Sequence, residues 1–105
     1  MAVESIKKRD GRLVPFNVQK IADAITKAFD ATYRPGNEQA SAELAQEVLS
    51  ILELEGESVP EVEHIQDIVE RVLMDNGYVQ TAKAYILYRS ERNRVREMNT
   101  RLMQT

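Results

Sequence analysis

The sequence has no cysteine and a single histidine, His64. The first absence excludes a disulfide framework and every thiolate metal site, and one imidazole cannot by itself hold a structural zinc. Glycine is scarce as well: four residues, standing alone at positions 11, 36, 56 and 77. No glycine-rich phosphate loop can be built from them, so a P-loop enzyme is excluded. No apolar run approaches the roughly 18 residues of a membrane span, and the opening MAVESIKKRD lacks the apolar stretch of a secretory signal. The expected location is the cytoplasm. Nucleophilic catalysis needs a nucleophile, a base and an orienting group, whereas His64 sits between Glu63 and Ile65 at a helix start, where a solvated surface residue is the plainer reading.

What is present suits one soluble domain spanning residues 1–105. The chain weighs 12.0 kDa, is 43% hydrophobic and 30% charged, and is long enough to build its own core. Its net charge of −3 hides a segregation along the chain. Residues 1–20 carry net +3, residues 83–105 net +4, and the stretch between them net −10. If the fold brings the two ends together, they make a cationic face suited to a compact polyanion such as a triphosphate. The competing reading docks the basic ends on the acidic middle.

Residues 3–16 place Asp10-Gly11 between two short runs containing Val, Ile, Leu and Phe, the pattern of a β-hairpin whose tight turn takes positive φ angles. Asn17 stands at a helix N-cap, and Ile21, Ile25, Ala28 and Phe29 recur on one face of a helix over 18–31. Pro35-Gly36 marks a turn before a second amphipathic helix over 38–54, stopped by Gly56. Residues 57–60, with Val59, read as an edge strand beside the hairpin. A third helix covers 62–75 through Ile65, Val69, Val72 and Leu73, with Asn76-Gly77 as its stop. A long fourth helix runs from Tyr78, with Ala82, Tyr85 and Ile86 on one stripe. Beyond about residue 93 Val95, Met98 and Leu102 extend an apolar stripe past the length the core requires, which marks a linker or an interface with a second copy or a following domain. A frayed terminus is the alternative. Glu43, Glu47, Asp67 and Glu70 fall on polar helix faces and read as solvated charges.

The sharper signal is Lys7-Lys8-Arg9-Asp10-Gly11 in a hairpin, followed by Asn17 and Lys20 at a helix start. Alternation puts Lys8 and Ile6 on one side of the strand, and the first turn of the helix offers backbone N–H groups and a positive dipole end to an anion. A basic hairpin is also a common solvated edge that resists strand-to-strand aggregation.

The runs IKKRDGRLVPFNVQKI, VEHIQDIVERVLM and YVQTAKAYILYRSERNRVRE, in that order and spacing, resemble the ATP-cone, the small allosteric nucleotide-binding domain of ribonucleotide reductases. The AKAYILYR stretch and the IQDIVE helix look most like the copy at the N-terminus of anaerobic, class III reductases. The resemblance implies an α+β fold, four helices capped by a small β-hairpin or three-stranded sheet, that takes ATP as activator or dATP as inhibitor, with Mg2+. Carried over residue by residue, the KRDG motif implies Lys8 and Arg9 as phosphate and nucleotide contacts, with Ile6 beside the base. The FN..KI motif implies Asn17 and Lys20, the helix after it Val62 and Gln66, and the AKAYILYR motif Lys83 and Arg89. Outside the resemblance, Lys83 reads as a solvated helix residue, Arg89 as a salt-bridge partner, and Tyr85 and Tyr88 as core or rim aromatics.

The family also includes a transcriptional repressor in which a cysteine-rich zinc ribbon precedes the cone, and the lack of cysteine disfavours that reading. The catalytic barrel of the reductases, with its radical glycine and cysteines, is missing too, so the expectation is a regulatory domain without chemistry, excised or free-standing. Its expected partners are nucleoside triphosphates, the reductase catalytic domain and, depending on nucleotide, further copies of itself. No membrane is expected, and nucleic acid is disfavoured. Two other classes stay in view: a cone-containing transcriptional regulator using its Arg-rich last helix on phosphates, and a plain helical interaction module.

Overall fold

A computed structural model describes residues 3–32 and 38–103, with side chains described as far as residue 91. Two short strands, β1 (Ser5–Lys7) and β2 (Leu13–Pro15), pair antiparallel with Ile6 opposite Val14. Four helices follow: α1 (Val18–Ala31), α2 (Glu38–Glu55), α3 (Val62–Asp75) and α4 (Val79–Met103). Each of α1 and α3 packs against both α2 and α4, so the helices close a four-membered ring around one core. The Pro35-Gly36 turn and the side chains of Val95, Met98 and Leu102 lie outside the described residues.

Periodicity and stop signals explain the helices. In α1 the buried Ala22, Ile25, Ala28 and Phe29 share a face, and the Asn17 side chain caps the helix by accepting the Gln19 N–H at 2.9 Å. The apolar stripe of α3 is Ile65, Ile68, Val69, Val72 and Leu73, all at most 5% exposed. Asn76 and Gly77 end this helix in a Schellman motif: Tyr78 N–H donates to the Leu73 carbonyl at 2.9 Å and Gly77 N–H to that of Met74 at 3.0 Å. The turn delivers Tyr78 to Phe29 in a T-shaped pair, ring centroids 5.1 Å apart. Gly77 takes φ 85°, and a Cβ there would meet no atom within 4 Å. The penalty for a side chain is therefore confined to the backbone, and Gly77→Ala should cost about 1–2 kcal/mol in urea unfolding, with Gly77→Asn costing less.

The hairpin turn differs from a two-residue Asp-Gly turn. Gly11 N–H donates to the Lys8 carbonyl at 2.9 Å and Lys8 N–H to that of Arg12 at 2.8 Å, so Arg9 and Asp10 occupy the turn and Gly11 closes it at φ 90°. This is the three-residue hairpin loop that ends in a left-handed glycine. Asp10 accepts the Arg12 N–H at 3.0 Å, a bond that holds its carboxyl below the usual carboxylate range.

Residues 57–60 do not form the expected edge strand. The segment runs alongside β1 and accepts its outward N–H groups: Glu4 donates to the Ser58 carbonyl at 3.1 Å and Lys7 to that of Pro60 at 3.0 Å. A single parallel bridge, Lys7 to Glu61, is all that forms. Pro60 has no N–H to donate and α3 begins at Val62, so the chain turns into helix before a ladder can grow.

Candidate nucleotide-binding site

The hairpin lies over one end of the helical ring, and beneath it α1, α3 and α4 enclose a cavity of about 360 Å³. Each helix contributes one stripe. Lys20, Ala24 and Lys27 come from α1, Val62, Ile65, Gln66 and Val69 from α3, and Tyr85, Tyr88 and Arg89 from α4, all at i, i+3, i+4 or i+7 spacing. The hairpin adds Ile6, Lys8, Arg9, Val14 and Pro15, and Phe16 and Asn17 close the corner. The lining mixes apolar side chains with five cations, Lys8, Arg9, Lys20, Lys27 and Arg89. A second recess of about 460 Å³, lined by Lys7, Lys8, Arg9, Glu61 and Glu63 among others, opens beside it and shares Lys8, Arg9 and Val62.

Eight of the nine residues singled out in the sequence border this cavity: Ile6, Lys8, Arg9, Asn17, Lys20, Val62, Gln66 and Arg89. Lys83 does not. It is exposed on α4, two positions from Tyr85, and a helix turns about 200° over two residues, so it points away from the stripe formed by Tyr85, Tyr88 and Arg89. Lys27 and Asp23 were missed, although Lys27 follows Lys20 by seven residues and so shares its face. The Lys27 ammonium stands 5.6 Å from the centre of the Tyr88 ring. Burial pushes the Tyr85 hydroxyl pKa well up, so the ring presents a neutral phenol at the cavity wall.

Among the described residues, Lys8, Arg9 and Lys20 of the first basic stretch and Arg89 of the last meet at this cavity, and Arg9 and Arg89 also pair with carboxylates of the acidic middle. Arg9 Nε lies 3.0 Å from Glu63 Oε1, both side chains nearly half exposed. Arg89 donates through Nη1 to Asp67 Oδ1 at 2.8 Å and to Glu70 Oε1 at 2.9 Å, and through Nη2 to the Glu63 carbonyl at 3.4 Å. Burial alone would lower the Arg89 pKa, but its bonds to the two carboxylates outweigh that and raise it. Asp67 and Glu70 are thus ion-pair partners rather than simple solvated charges, the Glu70 side chain being only 23% exposed. Glu47 accepts from the Asn76 amide at 3.2 Å. His64 lies outside the cavity and pairs with Glu55 on α2 at 2.7 Å. Among the described residues no group of three or more His, Cys, Asp or Glu is placed to hold a metal ion, and no helix is long and apolar enough to cross a membrane.

Comparison with known proteins agrees with this architecture. The ATP cone domain model matches residues 4–94. The chain is 41% identical over 102 residues to a ribonucleoside-diphosphate reductase subunit alpha of Chlamydia pneumoniae, covering 90% of this chain and 10% of that protein. It is 39% identical over 100 residues to a vitamin B12-dependent ribonucleoside-diphosphate reductase of Thermoplasma acidophilum, covering 90% and 13%. It is 36% identical over 101 residues to an anaerobic ribonucleoside-triphosphate reductase of Escherichia coli, covering 94% and 14%. The chain spans roughly a tenth to a seventh of the length of these relatives. With four helices, a two-stranded antiparallel cap and a family match over nearly its whole length, the chain belongs to the ATP-cone family of regulatory domains found in ribonucleotide reductases.

Proposed function

We propose that this chain is the nucleotide sensor of a ribonucleotide reductase, taking ATP or dATP into the cavity under the hairpin and passing the bound state to a catalytic domain. The observation that carries the reading is the convergence of Lys8 and Arg9 from the hairpin, Lys20 and Lys27 from α1 and Arg89 from α4 on one cavity that apolar side chains also line. A triphosphate of about four negative charges suits the cations of the lining, and a base suits Ile6, Val62 and the neighbouring aromatic and aliphatic groups. In this reading Lys8, Arg9 and Lys20 contact phosphates, Asn17 and Gln66 hydrogen-bond the nucleotide, and Ile6 and Val62 flank the base. Mg2+ would arrive on the phosphates, since the described residues offer it no cluster of carboxylates. The domain itself performs no reaction, and its location is cytoplasmic. The relatives include diphosphate and triphosphate reductases alike, so the parent enzyme is proposed at the level of a ribonucleotide reductase, the anaerobic class being the one its motifs resemble. Nucleotide-dependent self-association through the distal part of α4 belongs to the same proposal and rests on the Val95, Met98 and Leu102 spacing.

Isothermal calorimetry with ATP, dATP and duplex DNA tests it. Nucleotide should bind in the micromolar range, about −7 to −9 kcal/mol, without phosphate release. A silent titration of folded protein at millimolar nucleotide overturns the reading. Binding of DNA that weakens steeply with salt would favour the regulator class instead.

A further inference from the structure

We propose that the α3 carboxylates Glu63, Asp67 and Glu70 are built-in competitors for phosphate, so that a nucleotide binds by exchanging partners on Arg9 and Arg89. The proposal rests on the nucleotide-binding reading above and concerns how that site is regulated.

Three observations carry it. The carboxylates stand at i, i+4 and i+7 on α3, one stripe beside the row formed by Val62, Gln66 and Val69 that lines the cavity. Each meets a guanidinium belonging to the cavity wall: Glu63 meets Arg9 at 3.0 Å, and Asp67 and Glu70 meet Arg89 at 2.8 and 2.9 Å. The arrangement around Arg89 is over-neutralised, with two carboxylates on one cation and a backbone carbonyl as third acceptor. A polyanion approaching it meets a net negative group until a carboxylate lets go.

The two ties differ in strength. The Arg9–Glu63 pair is nearly half in water and is easily opened. The Arg89 side chain is 17% exposed and doubly held, so it yields only to a ligand with enough charge. Exchange therefore ranks ligands by phosphate number. It also has a mechanical result, because Glu63 ties α3 to the hairpin while Asp67 and Glu70 tie it to α4. Exchange of partners removes both of these ion-pair ties while the apolar stripe of α3 stays packed, and α4 is the helix that continues to Met103. Charge on the ligand is thereby converted into a change in how α3 is held, which is the differential contact that any allosteric coupling requires.

Glu63→Gln removes the competing charge and keeps the shape, at a half-exposed position where an ion pair contributes little to stability. Titrated with ATP, this variant should bind about three- to tenfold tighter than the parent, with a smaller gain for ADP and the smallest for AMP. The gain should shrink at about 0.5 M salt, where exposed charges are screened. Asp67→Asn, whose side chain is mostly in solvent, should show a gain of the same sign. A parent that binds ATP while Glu63→Gln binds it equally or more weakly overturns the exchange alone, since the carboxylate would then be a bystander or a support for Arg9. A parent that binds no ATP overturns the nucleotide reading and this proposal with it.

Discussion

Phe29→Ala should lower the stability of the protein by about 3–5 kcal/mol, the largest effect expected of any single truncation in the core. Phe29 is fully buried, sits near the end of α1 and forms a T-shaped pair with Tyr78 at 5.1 Å. Its removal takes away the transfer free energy of a large aromatic, the aromatic pair and the packing that the Schellman turn was built to meet. A domain of this size has only about 5–15 kcal/mol in total, so the melting temperature should fall by more than about 10 °C. Urea unfolding followed by circular dichroism gives the number, and a loss under about 1 kcal/mol would show that the helices close around this position without it.

Lys8→Ala should weaken ATP binding by about 1.5–3 kcal/mol, roughly 10- to 150-fold, while leaving the melting temperature of the free protein nearly unchanged. Lys8 is half-buried just after β1, borders both recesses and belongs to no part of the hydrophobic core. Lys83→Ala is the natural comparison, an equal loss of charge on the outer side of α4, and should leave affinity within about twofold. Equal effects at the two positions would mean that the domain binds nucleotide through its net field rather than through the hairpin.

Much of this architecture was legible in the sequence because it is local. Helices α1 and α3 have the boundaries that apolar spacing and stop signals dictate, since Asn17, Asn76 and Gly77 act within a few residues of where they stand. The hairpin was legible for the same reason, although the place of Gly11 in the loop was not, because a three-residue and a two-residue turn differ by one peptide. What escaped is what depends on distance. Arg89 meets Glu70 and Asp67 across 19 and 22 positions, and no pattern on either helix announces the pairing. Residues 57–60, read as an edge strand on Val59 and a tolerated Pro60, are overruled by the immediate start of α3. Lys83 was placed by motif, and only the rotation of α4 about its axis shows which way it points.

The hairpin has a further consequence. With three residue pairs and one flanking segment it is too small to stand without the helices beneath it, whereas the stripes of α1 and α3 belong to the central core. Its amides therefore exchange with solvent through local opening, long before the global unfolding that exposes Leu73 or Val48. The cavity is thus walled by the central core on one side and by a small hairpin on the other, so a ligand that bridges them should slow the exchange of the hairpin amides, at a cost in affinity for holding the hairpin closed.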